Sequence, residues 1–430
     1  MEGMKEMKIK IRSLGPVTDS EIILKPLIIF TGESGLGKSY CAFVVNYLFE
    51  LLKSKRIEGF FKDKGYDLEH LWAQRNPEQP LLKIPSKELF EWINKDCIHY
   101  IGYLVGNPQL QGDVEFSIPY ESEYFSFHFK EELKGLENQE ESYFNIRLEG
   151  FVYNWMAEDS IHFNSIPLSS LIKAVLKKRI FGNYNAVKRV YVFPPARGSL
   201  FDLNERPSFS AGMYHKFFDF KRIINLPIER NSIDYAKIDG MLAELNEGTI
   251  KKEEGNFLFI LKDGTPIPLS AAASSVKELA PLSILLNKFP AEGTSVLFEE
   301  PEAHLHPSRQ EKLADIISVF IMHGGFMQIT SHSDYFIKRL NFLIQLHKVC
   351  EGLKKEEGKE ELLKEFDASE DVLLNPDAVA AYLLERKDDF HSHARALDIH
   401  KNNEIPFDSF YDVIKKEIRH NSKLRENGIF

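Results

Sequence analysis

Eight residues set the frame for this chain: Gly32-Glu33-Ser34-Gly35-Leu36-Gly37-Lys38-Ser39. A short apolar run at 27–30 precedes them. Cys41, Val44, Val45, Leu48, Leu51 and Leu52 follow at helical spacing. Strand, glycine loop, helix is the order in which a chain cradles a phosphate. Glycines let successive backbone N–H groups turn inward around an anion without side-chain clash. The start of the following helix brings its positive end to the same point. Lys38 is placed to reach terminal phosphates, and Ser39 to coordinate magnesium. The plain alternative is a glycine turn joining a strand to a helix. Gly32, Ser34, Gly35, Gly37, Lys38 and Ser39 are therefore the candidate nucleotide-binding residues.

A second pattern narrows the chemistry. Val296, Leu297 and Phe298 read as a buried strand, Glu299-Glu300 end it, and Pro301 stops it. Phosphoryl chemistry needs one carboxylate to hold magnesium and a second to polarise the attacking water. Adjacent positions on a strand suit those two jobs, because successive side chains point to opposite sides. The plainer reading is an acidic turn that caps a helix over 308–322.

Charge and composition exclude several classes. Lys plus Arg number 54 against 64 Asp plus Glu, a formal charge of -10. That argues against a strongly basic nucleic-acid binder, though not against a local basic stripe. The 3 cysteines, Cys41, Cys97 and Cys350, lie far apart. They form neither a disulfide framework nor a metal knuckle, so a reducing compartment, the cytoplasm, is expected. No apolar stretch of about eighteen residues, the length a membrane span needs, occurs. The charged first ten residues lack the apolar centre of a signal peptide.

Along the chain, Ile9 and Ile11 alternate with lysine and arginine, which predicts an exposed-edge strand. A second strand is expected at 22–24. Residues 55–186 mix charged helical pieces with aromatic-rich strands such as 124–129 and an acidic stretch at 131–141. They read as an insertion. The core resumes in a β-branched strand at 187–193 that ends at Pro194-Pro195. Arg197, just beyond, reads first as a surface arginine, with service to the nucleotide or the subunit interface as the alternative. Phe257, Phe259 and Leu261 alternate into a turn at Lys262-Asp263-Gly264, a hairpin. Helices are expected over 274–286 and, solvated, over 351–365. Strands are expected at 326–329 and 379–384, and 407–418 has helical spacing.

The run Glu299-Glu300-Pro301-Glu302-Ala303-His304-Leu305-His306-Pro307 resembles the Walker B and D-loop of ABC-type ATPases related to the OLD, RecF and SMC proteins, a group of AAA-family ATPases. Thr330-Ser331-His332-Ser333 resembles their H-loop, and Ser274-Ser275 their signature. The resemblance covers roughly the first fifty residues and the second half of the chain. On overall layout the chain is similar to stand-alone OLD-like ATPases of bacterial anti-phage systems, such as the ATPase subunits of the PARIS and Septu systems, which act beside a separate nuclease or toxin-like effector.

The resemblance implies an α/β fold: an ABC-type P-loop ATPase head, with a mixed β-sheet flanked by helices and a large α+β insertion. Residues 1–54 and 187–345 would form a discontinuous core, 55–186 an inserted arm or lid, and 346–430 a C-terminal α/β segment packed on the core. It implies ATP and Mg2+ as cofactors. Lys38 and Ser39 would bind phosphate and magnesium, Glu299 would hold the metal, and Glu300 would be the general base. His332 would sense the γ-phosphate. Ser275 would contact the γ-phosphate bound by a second copy, so the partner is a homo-oligomer, at least a dimer, with ATP at its interface. A separate effector protein is expected; DNA is admissible but not required, and no membrane is.

Two local features bear on this. Ser275 and Glu278 have capping-box spacing, which would offer a helix N-terminus to an anion. Val276 stands where the family usually has glycine, which brings a side chain towards the phosphate. No clear Q-loop glutamine is found. Without the family, His304, His306 and His332 suggest a metal-dependent hydrolase, and His391 and His393 beside Asp388-Asp389 invite the same thought. The chain has no Asp-x-Asp pair of the kind a Toprim nuclease uses, so no nuclease activity is expected in it. RecF- or SMC-like handling of DNA is the alternative function.

Overall fold

A computed structural model describes residues 4–136, 139–156, 164–201, 203, 208, 211–223, 236–253, 256–353, 356–401, 403–406 and 418–423. Strands β1 (Lys8–Leu14), β2 (Val17–Ile23) and β3 (Leu27–Gly32) lead through the glycine loop into helix α1 (Lys38–Lys53). Next come α2 (Arg56–Asp63), α3 (Leu68–Ala73), β4 (Pro80–Pro85), α4 (Ser86–Val105) and β5 (Gly112–Ser117). They are followed by β6 (Tyr124–Leu136), β7 (Gln139–Leu148), β8 (Phe151–Met156) and α5 (Ile166–Phe181). The middle of the chain holds β9 (Arg189–Phe193), α6 (Arg197–Phe201), α7 (Gly212–Ile223), α8 (Ala236–Asn246), β10 (Gly248–Glu253), β11 (Asn256–Leu261) and β12 (Pro266–Pro268). The rest comprises α9 (Ser274–Lys288), β13 (Thr294–Glu299), α10 (Pro307–Met322), β14 (Phe326–Thr330), α11 (Asp334–Gly352), α12 (Glu356–Glu365), β15 (Val379–Arg386) and β16 (Ser392–Leu397).

Nine strands form one mixed sheet in the order β5-β1-β2-β16-β15-β3-β14-β13-β9. The run β15-β3-β14-β13-β9 is parallel, and β5, β1 and β2 join antiparallel. A parallel run is stable only with both faces covered, so its strands read as unbroken apolar stretches. Alternation then assigns each residue to a face. Ile28, Phe30, Leu297, Tyr382 and Leu384 enter one core with α1, α4 and α5. Leu27, Ile29, Val296, Phe298, Ala381 and Leu383 enter a second core with α9, α10 and α11. The expected α/β architecture, a mixed sheet flanked by helices, is what the chain forms.

The structure departs from the sequence reading in places. Ile9 and Ile11 are fully buried rather than on an edge, because β5, from the 55–186 segment, pairs with β1 on its outer side. That segment also builds a separate sheet, β4-β6-β7-β8, but its apolar residues share a core with α1. The acidic stretch at 131–141 lies in the β6–β7 hairpin, with 137 and 138 outside the described residues. The C-terminal segment does more than pack on the core, since β15 and β16 are inserted between β3 and β2 in the middle of the sheet. The charged helix of 351–365 is split between the end of α11 and α12. The hairpin at 262–264 forms as expected, with Gly264 at φ 86°. The helical spacing at 407–418 falls almost wholly outside the described residues. No helix among the described residues is long and apolar enough to cross a membrane, and all three cysteines are free and buried.

Gly32 is the tightest joint between the glycine loop and the sheet. Its φ is 121°, and a Cβ there would lie 2.5 Å from the Leu384 carbonyl oxygen on β15. Gly35 also has a positive φ, 81°, but a Cβ there meets nothing within 4 Å. Gly32→Ala is expected to cost on the order of 3 kcal/mol of stability, and Gly35→Ala about 1 kcal/mol. Urea unfolding of the two variants measures the difference. Equal losses would mean that the seat of β15 on β3 does not depend on this approach.

Candidate nucleotide site

Register places the site. β3, β14 and β13 lie side by side in parallel, with Phe30 opposite Thr330 and Thr330 opposite Glu299. Past the strand ends the pairing continues: Ser331 N donates to Phe30 O, and Glu300 N to Thr330 O, both at 3.0 Å. The glycine loop, Glu299-Glu300 and Ser331-His332 thus leave the sheet at one level, at the carboxyl ends of their strands, where open α/β sheets bind ligands.

Helix α1 begins at Lys38, preceded by Gly37 at φ 91°. The Lys38 side chain is buried, and Nζ donates to Gly32 O at 2.9 Å and Glu33 O at 2.7 Å. Burial pulls this ammonium down to about 8, against the raising effect of Glu300, Glu302 and Glu299. Burial pushes the Glu299 carboxyl up to about 7; the Ser39 hydroxyl opposes the rise and Glu300 adds to it. Glu299 Oε1 is buried without a hydrogen-bond partner. An unmatched carboxylate oxygen beside a serine hydroxyl is a hard donor set, and it fits Mg2+.

Glu300 adopts φ 44°, which costs a residue with a side chain about 1–3 kcal/mol. Its Oε1 lies 3.9 Å from His332 Nε2, which is also 3.5 Å from Ser34 Oγ. Burial, reinforced by Lys38, holds the His332 imidazole below its ordinary value, so the ring is neutral at pH 7. The two carboxylates therefore differ in surroundings: Glu299 is enclosed beside Ser39, whereas Glu300 is half exposed towards His332.

Sequence reasoning missed one residue and misplaced another. Glu302 is buried, and its Oε1 accepts from Ser331 Oγ at 2.8 Å and His332 N at 2.7 Å, which fixes the loop that carries His332. The only signal was a third glutamate just after the strand stop. Arg197 is not at the surface but completely buried. It hydrogen-bonds the carbonyls of Glu278, Pro194, Glu299 and Glu300. Burial lowers its guanidinium to about 10, which leaves it charged at pH 7.

The capping box at Ser275 does not form. α9 starts one residue earlier, with Ala273 as its cap and no side-chain cap bond. Ser275 Oγ instead accepts from Arg309 Nη1 at 2.9 Å, and Arg309 Nη2 pairs with Glu247. Val276 is helical and buried in the second core, so its side chain does not intrude on the start of the helix. The histidines do not assemble a metal site. His306 caps α10 through Ser308, His304 is exposed, and no metal-sized cluster of His, Cys, Asp or Glu occurs among the described residues. His391 is bonded to Asp388 within its own turn, and His393 faces Glu385.

These features define a P-loop protein of the α/β class. Residues 180–338 match the family described as "AAA domain, putative AbiEii toxin, Type IV TA system". The match takes in β9, Arg197, the carboxylate pair and His332, and does not extend to the glycine loop at 32–39. No curated protein matches the chain. Similar solved structures include an SMC head bound to the C-winged helix domain of ScpA, at TM-score 0.38 and 11% identity, covering 93% of this chain and 98% of that one. The SMC head domain from Thermotoga maritima gives 0.34 and 9%, covering 92% and 100%. The Smc head domain with an extended coiled coil bound to the C-terminal domain of ScpA, from Pyrococcus furiosus, gives 0.36 and 10%, covering 97% and 99%.

Glu299 should leave a pH signature. Its ordinary value is 4.5 and its folded value about 7. The folded chain then holds this proton more tightly, so stability is lost as pH rises from 4.5 to 7, and the full penalty stands above 7. Without magnesium, Glu299→Gln is expected to exceed wild type in stability at pH 8 by on the order of 2 kcal/mol, with most of the gain gone at pH 5. Denaturant titrations in a chelator at both pH values decide it. A gain independent of pH would show that Glu299 ionises as an ordinary carboxylate.

Proposed function

We propose that the chain binds and hydrolyses Mg-ATP as an ABC-type switch ATPase, with ATP held between two copies. The observation that carries this reading is the convergence of Lys38, Ser39, Glu299, Glu300 and His332 at one level of three parallel strands. The backbone of Gly32, Ser34, Gly35 and Gly37 and the Lys38 ammonium bind the phosphates. Ser39 and Glu299 are the residues that would hold Mg2+, which when bound neutralises charge on the phosphate oxygens. Glu300 orients the attacking water, and neutral His332 offers a hydrogen bond to the γ-phosphate. Ser275, at the start of α9, meets the γ-phosphate bound by the second copy. Nucleotide then favours the closed pair and hydrolysis releases it, a shift between two states.

In this reading the switch holds or licenses a separate effector, a nuclease or toxin, in bacterial anti-phage defence. That choice rests on the likeness of overall layout to stand-alone OLD-like ATPases; the description of the matching family names a toxin and a TA system but no separate effector. Residues 1–54 with 187–345 serve as the ATPase core, 55–186 as an arm for assembly or partner contact, and 346–430 as the segment that completes the sheet. A second reading, a DNA-repair or DNA-structuring ATPase, draws on one observation: a stripe of lysines in which Lys53 and Lys55 add to the lowering that burial imposes on the Lys173 ammonium, and Lys173 and Lys53 add to that of Lys177. Such a stripe suits a phosphate backbone.

Magnesium-dependent ATP turnover of the purified chain, with and without linear duplex DNA, separates the two; turnover indifferent to DNA is expected. Lys38→Ala should abolish ATP binding, and tight binding by that variant would sink the assignment. Glu300→Gln should retain ATP and slow turnover by about 10²-fold or more, leaving a nucleotide-bound pair visible by light scattering. The same phenotype in Glu299→Gln instead would exchange the two roles.

A further inference from the structure

Among the described residues, Arg197 is the largest fully buried side chain. A guanidinium persists in such a place only where hydrogen bonds and charge partners offset its lost hydration. Here its planar fork grips two distant pieces of backbone at once. Nε donates to Glu278 O at 2.9 Å, one turn into α9, and lies 3.6 Å from the Glu278 carboxylate. On the other side, Nη1 donates to Glu299 O at 2.9 Å and to Pro194 O at 3.3 Å, while Nη2 donates to Glu300 O at 3.4 Å. The guanidinium carbon sits 4.5 Å from the centre of the Phe298 ring, so the last residue of the strand before the carboxylates is clamped as well.

The neighbouring residue tightens this joint. Gly198 packs so closely on α9 that a Cβ there would stand 3.1 Å from Glu278 N and 3.0 Å from Glu278 Oε1. Ala196, on the other side, has φ 56°, an uncommon backbone for alanine that the surrounding contacts hold in place. At the far end of the fork, the held carbonyls flank the bend at Glu300 that sends its carboxylate towards His332.

We infer that Arg197 is a positioning residue that ties the N-terminal part of α9, at Glu278, to the backbone of Glu299 and Glu300, so that a displacement of α9 moves the Glu300 carboxylate relative to His332. Arg197 itself touches no nucleotide. Ser275 lies on the same helix three residues before Glu278, so an anion engaged there is reported to the carboxylate pair without a direct contact between the two. Lysine at 197 keeps the charge but not the fork, because one ammonium cannot reach both backbones in the same fixed plane. This inference rests on the ATPase reading above.

The test uses the full chain with Arg197→Lys and, independently, Gly198→Ala, which presses on α9 without changing any charged group. Thermal unfolding, ATP affinity without magnesium, and steady-state kcat and KM are measured beside wild type. Arg197→Lys is expected to fold, to bind ATP within about threefold of wild type, and to lose kcat on the order of 10²-fold, as a small misplacement of a reacting group does. Gly198→Ala is expected to lose kcat in the same pattern to a smaller extent. The double variant Arg197→Lys with Glu300→Gln is expected to be no slower than Glu300→Gln alone, since both act on one group. The inference is overturned if folded Arg197→Lys keeps its kcat, if the losses multiply in the double variant, or if ATP affinity falls in step with kcat. If Arg197→Lys does not fold, an unchanged kcat in Gly198→Ala overturns it. Loss of fold in both variants overturns it too, since the role is then structural. A wild-type chain that neither binds nor hydrolyses ATP instead removes the ATPase reading, whatever the variants do.

Discussion

The in-register parallel pairing of β3, β14 and β13 is the constraint on which the rest of the site depends. Each strand end carries a different chemical group: a glycine loop with its lysine, a histidine loop, and a carboxylate pair. A one-residue slip in any of the three would turn its end group towards the opposite face. The register is protected because both faces of these strands are packed. Phe298 and Ile329 belong to one core, and Phe30 and Leu297 to the other. The apolar alternation that folds the sheet and the geometry that gathers the polar groups are therefore one property. The insertion of β15 beside β3 adds to it, by pressing the Leu384 carbonyl on the only residue type that fits at position 32.

Buried groups of both charge signs are gathered at the site. Glu299 and Glu302 are buried carboxylates, with Glu300 beside them, and Lys38 and Arg197 are the buried cations that face the group. Desolvation is the first cause of every large shift in this set: the carboxyls rise and the cations fall. Buried ion pairs of this kind add little net stability, because the desolvation cost consumes the attraction. What they supply is orientation. Glu302 Oε1 is given to the histidine loop, and the Arg197 hydrogen bonds are given to carbonyls, so the guanidinium acts on the Glu299 carboxylate through its charge alone.

The parts of this arrangement that the sequence discloses are those written in short, fixed spacings. The glycine loop, the strand ending in Glu299-Glu300, the strand before His332 and the hairpin at Gly264 each lie within a few residues of their own signals. Other features were hidden because their partners are remote. Arg197 lies 81 residues from Glu278 and 102 from Glu299, and nothing near it in the chain says that it is buried. Ile9 and Ile11 show edge-type alternation, yet β5 covers them from about a hundred residues away. Val276 suggested a steric conflict because the family pattern speaks of a glycine; in the fold it is simply a core residue of α9. The central seat of β15 and β16 is likewise a matter of topology, which local apolar patterns do not encode.

These observations bear on how an ATPase with this site would be controlled. Glu299 retains a buried oxygen without a partner, while Glu302 Oε1 is taken by Ser331 and Arg197 Nη1 by the Glu299 carbonyl. The folded chain therefore carries an unmet electrostatic demand that a hard cation satisfies, and a proton is the competing occupant at neutral pH. Glu300 differs, being half exposed, bent by its backbone and free of enclosure. Its orientation is set less by its own contacts than by the carbonyls on either side of it, which Arg197 holds. Under the proposed ATPase reading, ground-state binding and water orientation would fall to separate carboxylates with separate supports. A change at α9 can alter the second while leaving the first intact, and that separation is what a switch needs if it is to bind nucleotide first and hydrolyse only on assembly.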